Sequence, residues 1–331
     1  MGLTRREFLT ACAGGLVLGA SSYLLWKEAR NRSWDERIFI AKAPDYQADL
    51  KTAIQDGLRH LGVSPAAIRG KRVLLKPNLV ETIPGAVHIN THPLVVRGAV
   101  EAFLSLGAAR VVVAEGPGHV TDTLRVLDEA GLDEILWEDR IPFIDLNREN
   151  GYTVANAGGC SRLPSLTLPV CLKEFDIIVS MPKMKTHHWA GVTLAMKNLF
   201  GLMPGSFYGW PKNYLHWAGI DGCIVDITAT VRPQLAIVDG IVGMEGDGPI
   251  MGTLKPVGVL VMGRNLPAVD ATCARIMGID PHRVVSLATA EGWLGPLREA
   301  SIHQVGETIA AVRSPFLLLD KVPAQRALKP A

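Results

Sequence analysis

The sequence predicts an α/β fold in which a largely parallel sheet is flanked by helices, as one large domain or as two lobes around a cleft. Short apolar runs rich in β-branched residues alternate along the chain with amphipathic helical patterns. The predicted strands are 37–41, 72–75, 109–114, 142–146, 176–180, 234–238 and 257–262. The predicted helices are 49–61, 93–106, 121–130, 220–231 and 267–277. Strands separated by helices are typical of βαβ units, whose parallel sheets are covered on both faces.

The first 30 residues have the features of a twin-arginine signal. Arg5 and Arg6 precede a moderately apolar run that ends at Trp26. We expect the twin-arginine translocase to export the protein, to the periplasm or to the outer face of the cytoplasmic membrane. Cleavage after Ser22 and retention as an inner-membrane anchor both stay open, because residues 8–26 as a helix would be about 28 Å long.

The remaining residues, 31–331, are long enough to bury a large core. The net charge is +2 and no Lys/Arg-rich run occurs, which argues against a nucleic-acid partner. No C-x-x-C motif is present, so we expect no intrinsic iron–sulfur cluster and no zinc ribbon. Cys160 and Cys171 could bridge a hairpin in an oxidising compartment, or they could be free thiols.

Polar and glycine-rich residues follow the predicted strands. These segments are Lys76-Pro77-Asn78, Glu115 to His119, Asp145 to Asn147, Pro182 to His188, Asp239-Gly240 and Gly263 to Asn265. In open α/β sheets, ligands bind beyond the carboxyl ends of the strands. Polar loops occur in any protein, but that alternative does not account for lysine and histidine side chains at several strand ends. We therefore predict a binding site at this edge, with Lys76 and Asn78 among its residues.

The segment 181–216 carries the highest density of chemically versatile side chains. Lys183, Lys185 and Lys197 could hold an anionic ligand. Imidazoles at His187, His188 and His216 could serve as general acid, general base or metal ligand. A solvated loop is the alternative. Because residues 191–200 form an apolar, helix-like stretch around Lys197, its ammonium group requires a partner or a ligand anion.

A glycine-rich segment, 239–249, is predicted as a loop after a strand. It includes Asp239, Glu245 and Asp247, whose carboxylates could hold a divalent cation, hydroxyl groups or the lysines above. The segment lacks the lysine-serine ending of a phosphate-binding P-loop. The G-x-S-x-G, H-E-x-x-H and G-x-G-x-x-G motifs are also absent, which argues against a serine hydrolase, a zincin and an ordinary dinucleotide dehydrogenase.

Taken together, these motifs resemble the domain of unknown function 362 family. The matching stretches are Lys76 to Asn78, Thr91 to Pro93, Pro182 to His187, Lys197 to Gly201, Asp239 to Pro249 and Asp270 to Pro281. The resemblance covers about residues 70–300 and implies an α/β domain of no settled activity. Many members carry a fused ferredoxin module, which this chain lacks.

A fainter resemblance is to the lactate racemase family. The segment ending at His119 is similar to the histidine loop of that family, and the order His187, Lys197, His216 is similar to its second histidine, cofactor-attached lysine and nickel-ligand histidine. The resemblance implies His119 and His187 as catalytic acid and base, Lys197 as the attachment point of a nickel pincer nucleotide, and His216 as the metal ligand. This chain departs from the pattern before Lys197 and near Asn78.

The expected function is the binding of an anionic small molecule or nucleotide-like cofactor at the strand edge, with a racemase- or isomerase-like reaction as its enzymatic form. The expected cofactor-binding residues are Lys76, Asn78, Lys183, Lys185, Lys197, Asp239 and Glu245. The alternative is a non-catalytic accessory protein of a membrane-associated redox complex.

Overall fold

The computed structural model describes residues 34–80, 83–118 and 122–329. The export signal predicted at 1–30 lies outside the described residues, as does His119. No helix in the described part of the chain is both long enough and apolar enough to cross a membrane.

Strands and helices alternate through most of the chain. The strands are β1 (Glu36–Lys42), β2 (Arg72–Pro77), β3 (Arg110–Glu115), β4 (Phe143–Asp145), β5 (Gly151–Ala155), β6 (Ser165–Pro169), β7 (Ile177–Met181), β8 (Lys183–His187), β9 (Gly191–Thr193), β10 (Leu235–Glu245), β11 (Thr253–Gly263) and β12 (Ile302–Gly306). The helices are α1 (Leu50–His60), α2 (Pro65–Ile68), α3 (Pro93–Ser105), α4 (Thr123–Glu129), α5 (Leu132–Glu138), α6 (Ala195–Asn198), α7 (Gly205–Tyr208), α8 (Asn213–Val231), α9 (Leu266–Ile276), α10 (Val285–Ala290), α11 (Ile309–Val312) and α12 (Pro323–Arg326).

Within the described residues, the main sheet has ten strands in the order β12-β1-β11-β10-β7-β2-β3-β4, with β8 paired to β10 and β9 paired to β8. The pairs β2–β3, β2–β7, β3–β4, β7–β10, β8–β10 and β1–β12 are parallel. The strand β11 runs antiparallel to both of its neighbours, and β9 is antiparallel to β8. The prediction of a largely parallel sheet flanked by helices is confirmed.

The side chains of each central strand enter two separate cores. In β2, Val73 and Leu75 pack on one face of the sheet with α1 and α3, whereas Leu74 packs on the other face with α8 and α9. This alternation follows from the period-two geometry of a strand. Because both faces are covered, the edge formed by the carboxyl ends of the strands is the place where polar side chains can gather.

The structure differs from the sequence predictions in the segments richest in charge and glycine. Residues 183–187, predicted as a loop, form the buried strand β8. Residues 239–249 were predicted to leave the sheet, but β10 continues to Glu245 through an irregularity in its pairing between Gly240 and Val242. The helix-like stretch 191–200 divides into β9, α6 and a 3-10 turn.

The alternative of a disulfide between Cys160 and Cys171 is not realised. Cys160, Cys171, Cys223 and Cys273 are all free thiols, and only Cys160 among these four is exposed. The hairpin formed by β5 and β6 is held by its backbone ladder, which pairs Gly151 with Pro169 at one end.

Candidate functional site

A cleft lies at the carboxyl ends of β2 and β3. Its water-accessible volume is about 90 Å³, and it is bounded by the ends of β8 and β9, by α6 and by the start of α8. A space of this size holds a few water molecules or a small anionic group. Its polar and charged lining residues are Lys76, Asn78, Glu115, His187, His188, Thr193, Lys197, Asn198, Lys212 and His216.

Lys76 and Glu115 form a buried ion pair at the floor of the cleft. They end two adjacent parallel strands, so the sheet register brings them together. The Lys76 ammonium donates to Glu115 at 2.5 Å, to the Pro77 carbonyl at 2.8 Å and to the Asn198 side-chain oxygen at 3.0 Å. Burial lowers the pKa of Lys76, and the Glu115 carboxylate opposes that shift. All three N–H groups of Lys76 are thus directed at protein acceptors.

The turn that follows α6 packs closely onto this ion pair. A Cβ atom at Gly201 would collide with the Glu115 carboxylate and the Lys76 ammonium. A Cβ atom at Gly116 would collide with the side chain of Asn147 and the Gly201 carbonyl. These close approaches explain why a glycine ends the motif that begins at Lys197.

Lys197 projects from α6 and is half-buried. Its ammonium lies 4.0 Å from the centre of the Phe200 ring and makes no hydrogen bond to any described residue. Its pKa is lowered to about 7, foremost by burial and then by the charge of Lys76, and Glu115 and Asp221 oppose the shift. Among the described lysines that line the cleft, Lys197 is the one whose amine makes no hydrogen bond to the protein.

The backbone that carries Lys197 is held by a carboxylate from the neighbouring helix α9. Asp270 is buried and accepts hydrogen bonds from the N–H groups of Ala195 at 2.7 Å and Met196 at 2.9 Å. Burial raises the pKa of Asp270 to about 7, and the two backbone hydrogen bonds oppose the shift. Asp270 acts on the site as a positioning residue, since it fixes the first turn of α6.

Lys212 and Lys185 are buried lysines without a carboxylate partner among the described residues. Lys212 donates to the Asn147 side-chain oxygen at 3.1 Å and to the Met203 carbonyl. Lys185 donates to the carbonyls of Ile89 and Pro249, at 2.9 and 3.1 Å.

Desolvation lowers the pKa of both lysines. Burial lowers the pKa of Lys212 to about 7, with Glu115 opposing the shift. Burial also lowers the pKa of Lys185 well below that of a free lysine, and the positive charges of Lys183 and Lys197 lower it further.

The histidines of the cleft have different tautomers. His187 Nδ1 accepts hydrogen bonds from the N–H groups of Trp189 at 3.0 Å and Ala190 at 3.2 Å, so the proton of the neutral ring is on Nε2. Burial lowers the pKa of His187 well below that of a free histidine, and the charge of Lys197 lowers it further. His187 is a neutral imidazole whose Nε2–H can donate a hydrogen bond.

His188 and His216 have the opposite arrangement. His188 Nδ1 lies 3.0 Å from the Gly248 carbonyl, and His216 Nδ1 lies 3.0 Å from the Lys212 carbonyl. A carbonyl oxygen only accepts, so each Nδ1 carries the proton and each neutral ring keeps a lone pair on Nε2. Histidines that bind metals use this arrangement. The described residues include no cluster of three or more histidine, cysteine or carboxylate ligands arranged to hold a metal ion.

Two buried polar side chains of the cleft have no hydrogen-bond partner within the described protein. They are the Oδ1 atom of Asn78 and the hydroxyl of Thr193, in residues that are 8 % and 4 % exposed. Buried polar atoms in folded proteins are nearly always satisfied, by protein groups, by water or by a ligand. Both residues are part of the cleft lining.

The structure thus brings together five of the residues predicted from the sequence: Lys76, Asn78, His187, Lys197 and His216. It places three others away from the cleft lining. Lys183 and Asp239 form a buried ion pair at 2.6 Å that also includes Tyr46, and Glu245 contacts Lys255 and the backbone of Leu317. Lys185 lies behind the wall to which Pro249 contributes.

Lys212 and Thr193 were not among the predicted site residues. Both lie inside the segment 181–216, so the density of functional groups there pointed to the right region. Lys212 has a left-handed backbone conformation, with φ 66°, directly before α8. Nothing in the local sequence indicates that this turn directs a lysine toward the ends of β2 and β3.

The chain belongs to the family described as a domain of unknown function (DUF362), whose profile matches residues 73–275. It is similar to a thylakoid-associated protein from Synechocystis sp., with 28% identity over 265 residues that cover 77% of this chain and 78% of that protein.

Two solved structures are also similar to this chain. One is the lactate racemase apoprotein from Thermoanaerobacterium thermosaccharolyticum, with a TM-score of 0.45 and 14% identity over 74% of this chain. The other is a protein from Thermotoga maritima, with a TM-score of 0.42 and 15% identity over 68% of this chain. The match spans 57% of the length of each of those chains.

Proposed function

We propose that the protein binds an anionic small molecule, or the anionic group of a nucleotide-like cofactor, in the cleft at the carboxyl ends of β2 and β3. The observation that carries the proposal is the excess of buried lysines over carboxylates there. Glu115 is the one carboxylate among the described lining residues and is paired with Lys76, which leaves Lys197 and Lys212 without a carboxylate in hydrogen-bond contact among the described residues. A buried cation is costly unless an anion neutralises it, so a ligand anion supplies the missing charge.

The unpartnered polar atoms support a ligand that also forms hydrogen bonds. The Oδ1 atom of Asn78 requires a donor, and the hydroxyl of Thr193 can donate or accept. A ligand that carries hydroxyl or amide groups beside its anionic group would satisfy both atoms. Ribose phosphates have this combination of groups.

Lys197 and His216 have the functional groups that a nickel pincer nucleotide would require, an amine for attachment and an imidazole for the metal. Lys197 would provide the attachment amine, and the lone pair on Nε2 of His216 would bind the metal while its Nδ1–H bonds the Lys212 carbonyl. Such a group would supply a metal centre that the side chains lack. A racemase- or isomerase-like reaction would then use His187 and His119 as acid and base.

A non-catalytic accessory role in a membrane-associated redox complex is the second candidate function. The name of the Synechocystis relative, a thylakoid-associated protein, favours this candidate because it places that relative at a membrane that contains redox complexes.

Native mass spectrometry with metal analysis, on protein purified from its own host, tests the proposed function. We expect a mass above that of the polypeptide. A noncovalent ligand is lost on denaturation, whereas an attached cofactor remains on Lys197 and brings stoichiometric nickel. The mass of the bare polypeptide under native conditions would contradict a resident ligand and favour the accessory role.

We further propose that the twin-arginine translocase exports the protein to the outer face of the cytoplasmic membrane or to the periplasm. Replacing Arg5 and Arg6 together by Lys should keep the protein in the cytoplasm, because that translocase recognises the arginine pair. Cell fractionation followed by immunoblotting measures the distribution. Replacing Arg30 and Arg32 together by Lys is the matched control and should leave export unchanged. Undiminished export of the Arg5/Arg6 variant would refute the assignment.

A further inference from the structure

Lys197 is chemically different from the other lysines that line the cleft. Lys76 donates to three acceptors and Lys212 to two. The Lys197 ammonium lies over the face of Phe200 and makes no hydrogen bond to a described residue, and its half-buried side chain lines the cleft. The nitrogen lone pair of Lys197 is available to a bound molecule once its proton leaves.

Deprotonation of Lys197 is favourable near neutral pH. Its pKa is lowered to about 7, foremost by burial and then by the charge of Lys76. A free lysine, with a pKa near 10.4, is unprotonated in fewer than about one molecule in a thousand at pH 7. The charged and titratable groups around Lys197 lie on β2, β3, β8 and α8 and directly before α8: Lys76, Glu115, Lys185, His187, Lys212, His216 and Asp221.

Two imidazoles that line the same cleft have opposite tautomers, one suited to donate a hydrogen bond and the other to accept a proton. His187 presents a proton on Nε2, because both hydrogen bonds to its Nδ1 come from backbone N–H groups. His216 has the opposite tautomer when its ring is neutral, because its Nδ1–H donates to the Lys212 carbonyl. A hydrogen-bond donor can polarise a carbonyl oxygen, and a base can accept the proton of an attacking amine.

We propose that Lys197 forms a reversible imine with an anionic carbonyl compound that enters the cleft. The Nζ lone pair attacks the carbonyl carbon to form a C–N bond while the C=O π bond breaks, and the proton that the nitrogen then loses passes to the oxygen to give a carbinolamine. The hydroxyl group takes up a second proton and leaves as water while the nitrogen lone pair forms the C=N bond, and loss of the remaining N–H proton returns that second proton. The step consumes no oxidant or reductant, and hydrolysis reverses it.

The inference rests on the proposed function in the form in which the anionic ligand is held noncovalently, since a cofactor attached to Lys197 would occupy the amine. The charge of the cleft selects the compound. The uncompensated lysines favour an anionic group on the ligand, and Lys197 adds a requirement for a carbonyl carbon within reach of its amine. A desolvated lysine beside other cations is a recognised way of activating an amine for this reaction.

Reductive trapping with glyoxylate, a small anionic aldehyde, tests the inference on the full-length protein. With sodium cyanoborohydride at pH 7, we expect one carboxymethyl group on Lys197, located by peptide mapping, at a rate at least about tenfold above that of any other lysine. The rate should level off above about pH 7 as Lys197 loses its proton. Acetaldehyde, which has no anionic group, should label Lys197 more slowly, and oxalate should compete with glyoxylate.

Two variants separate reactivity from binding. Lys197→Arg keeps a positive charge but cannot form an imine at this pH, so it should bind oxalate and lose the labelling. Lys197→Met should lose both. If labelling is spread over exposed lysines while wild-type protein still binds oxalate, the imine is refuted and the anion site stands. If oxalate does not bind either, both proposals are refuted.

Discussion

Replacing Lys76 by Met is expected to lower the free energy of unfolding by about 3–5 kcal/mol, because the Glu115 carboxylate would lose its buried partner. Both side chains are only 1 % exposed, so solvent cannot take over the role of the ammonium. The N–H groups of Leu79 and Gly116, which also donate to Glu115, would remain as its partners. Urea denaturation followed by circular dichroism measures the loss.

Two further variants control for the interpretation of this loss. Arg72 begins the same strand and pairs with Asp176 in an exposed position, so Arg72→Met should cost less than about 1 kcal/mol. Adding Glu115→Gln to Lys76→Met should recover part of the stability, since a neutral amide at position 115 leaves no buried charge without its partner. Equal losses for Lys76→Met and Arg72→Met would contradict the role of the buried pair.

Replacing Lys197 by Met is expected to have the opposite effect on stability. The variant loses no hydrogen bond to a described residue and keeps an unbranched side chain against Phe200. It also removes an uncompensated amine from a desolvated position, so the free energy of unfolding without ligand should rise by about 1–2 kcal/mol. The same urea experiment measures this gain. A large loss of stability would show that Lys197 serves the fold.

The contrast between these two lysines separates function from folding. Residues retained for ligand binding often reduce the stability of the free protein. Lys76 is paired and supports the fold, whereas Lys197 lies 4.0 Å from an aromatic ring with no described acceptor. The two residues have the same side chain, so their opposite predicted effects depend on their surroundings alone.

The position of the cleft could be predicted because it follows from strand order. Lys76 and Asn78 come after one strand and Glu115 ends the next, so a parallel sheet must bring them to the same edge. The periodicity of the apolar residues was sufficient for this conclusion. His187, Lys197 and His216 were then grouped through the density of functional side chains in one segment.

The burial of β8 could not be predicted because its stability depends on distant partners. Lys183, Met184 and Lys185 alternate as residues of a strand do, but charged side chains are rarely buried. Lys183 is accommodated by Asp239, 56 residues further along the chain, and Lys185 by backbone carbonyls from two other segments. These contacts exist only in the folded protein.

Glu245 also lies at a place that the sequence did not predict, because the strand before it is longer than expected. A glycine-rich stretch suggested a loop at the ligand edge, but the stretch continues β10 as an 11-residue strand. That length carries Glu245 beyond the cleft to Lys255 and Leu317. Asp239, at the centre of the strand, is committed to Lys183.

Thermal unfolding of wild-type protein and of Lys197→Met, with and without inorganic pyrophosphate, tests the central claim most directly. Pyrophosphate should raise the Tm of the wild-type protein, because a ligand that binds only the folded state stabilises that state. Lys197→Met should unfold at a higher temperature than the wild-type protein without pyrophosphate and should show no increase when it is added. An equal increase in both proteins, or a lower Tm for the variant without pyrophosphate, would contradict the claim that Lys197 is kept in the cleft for an anionic ligand.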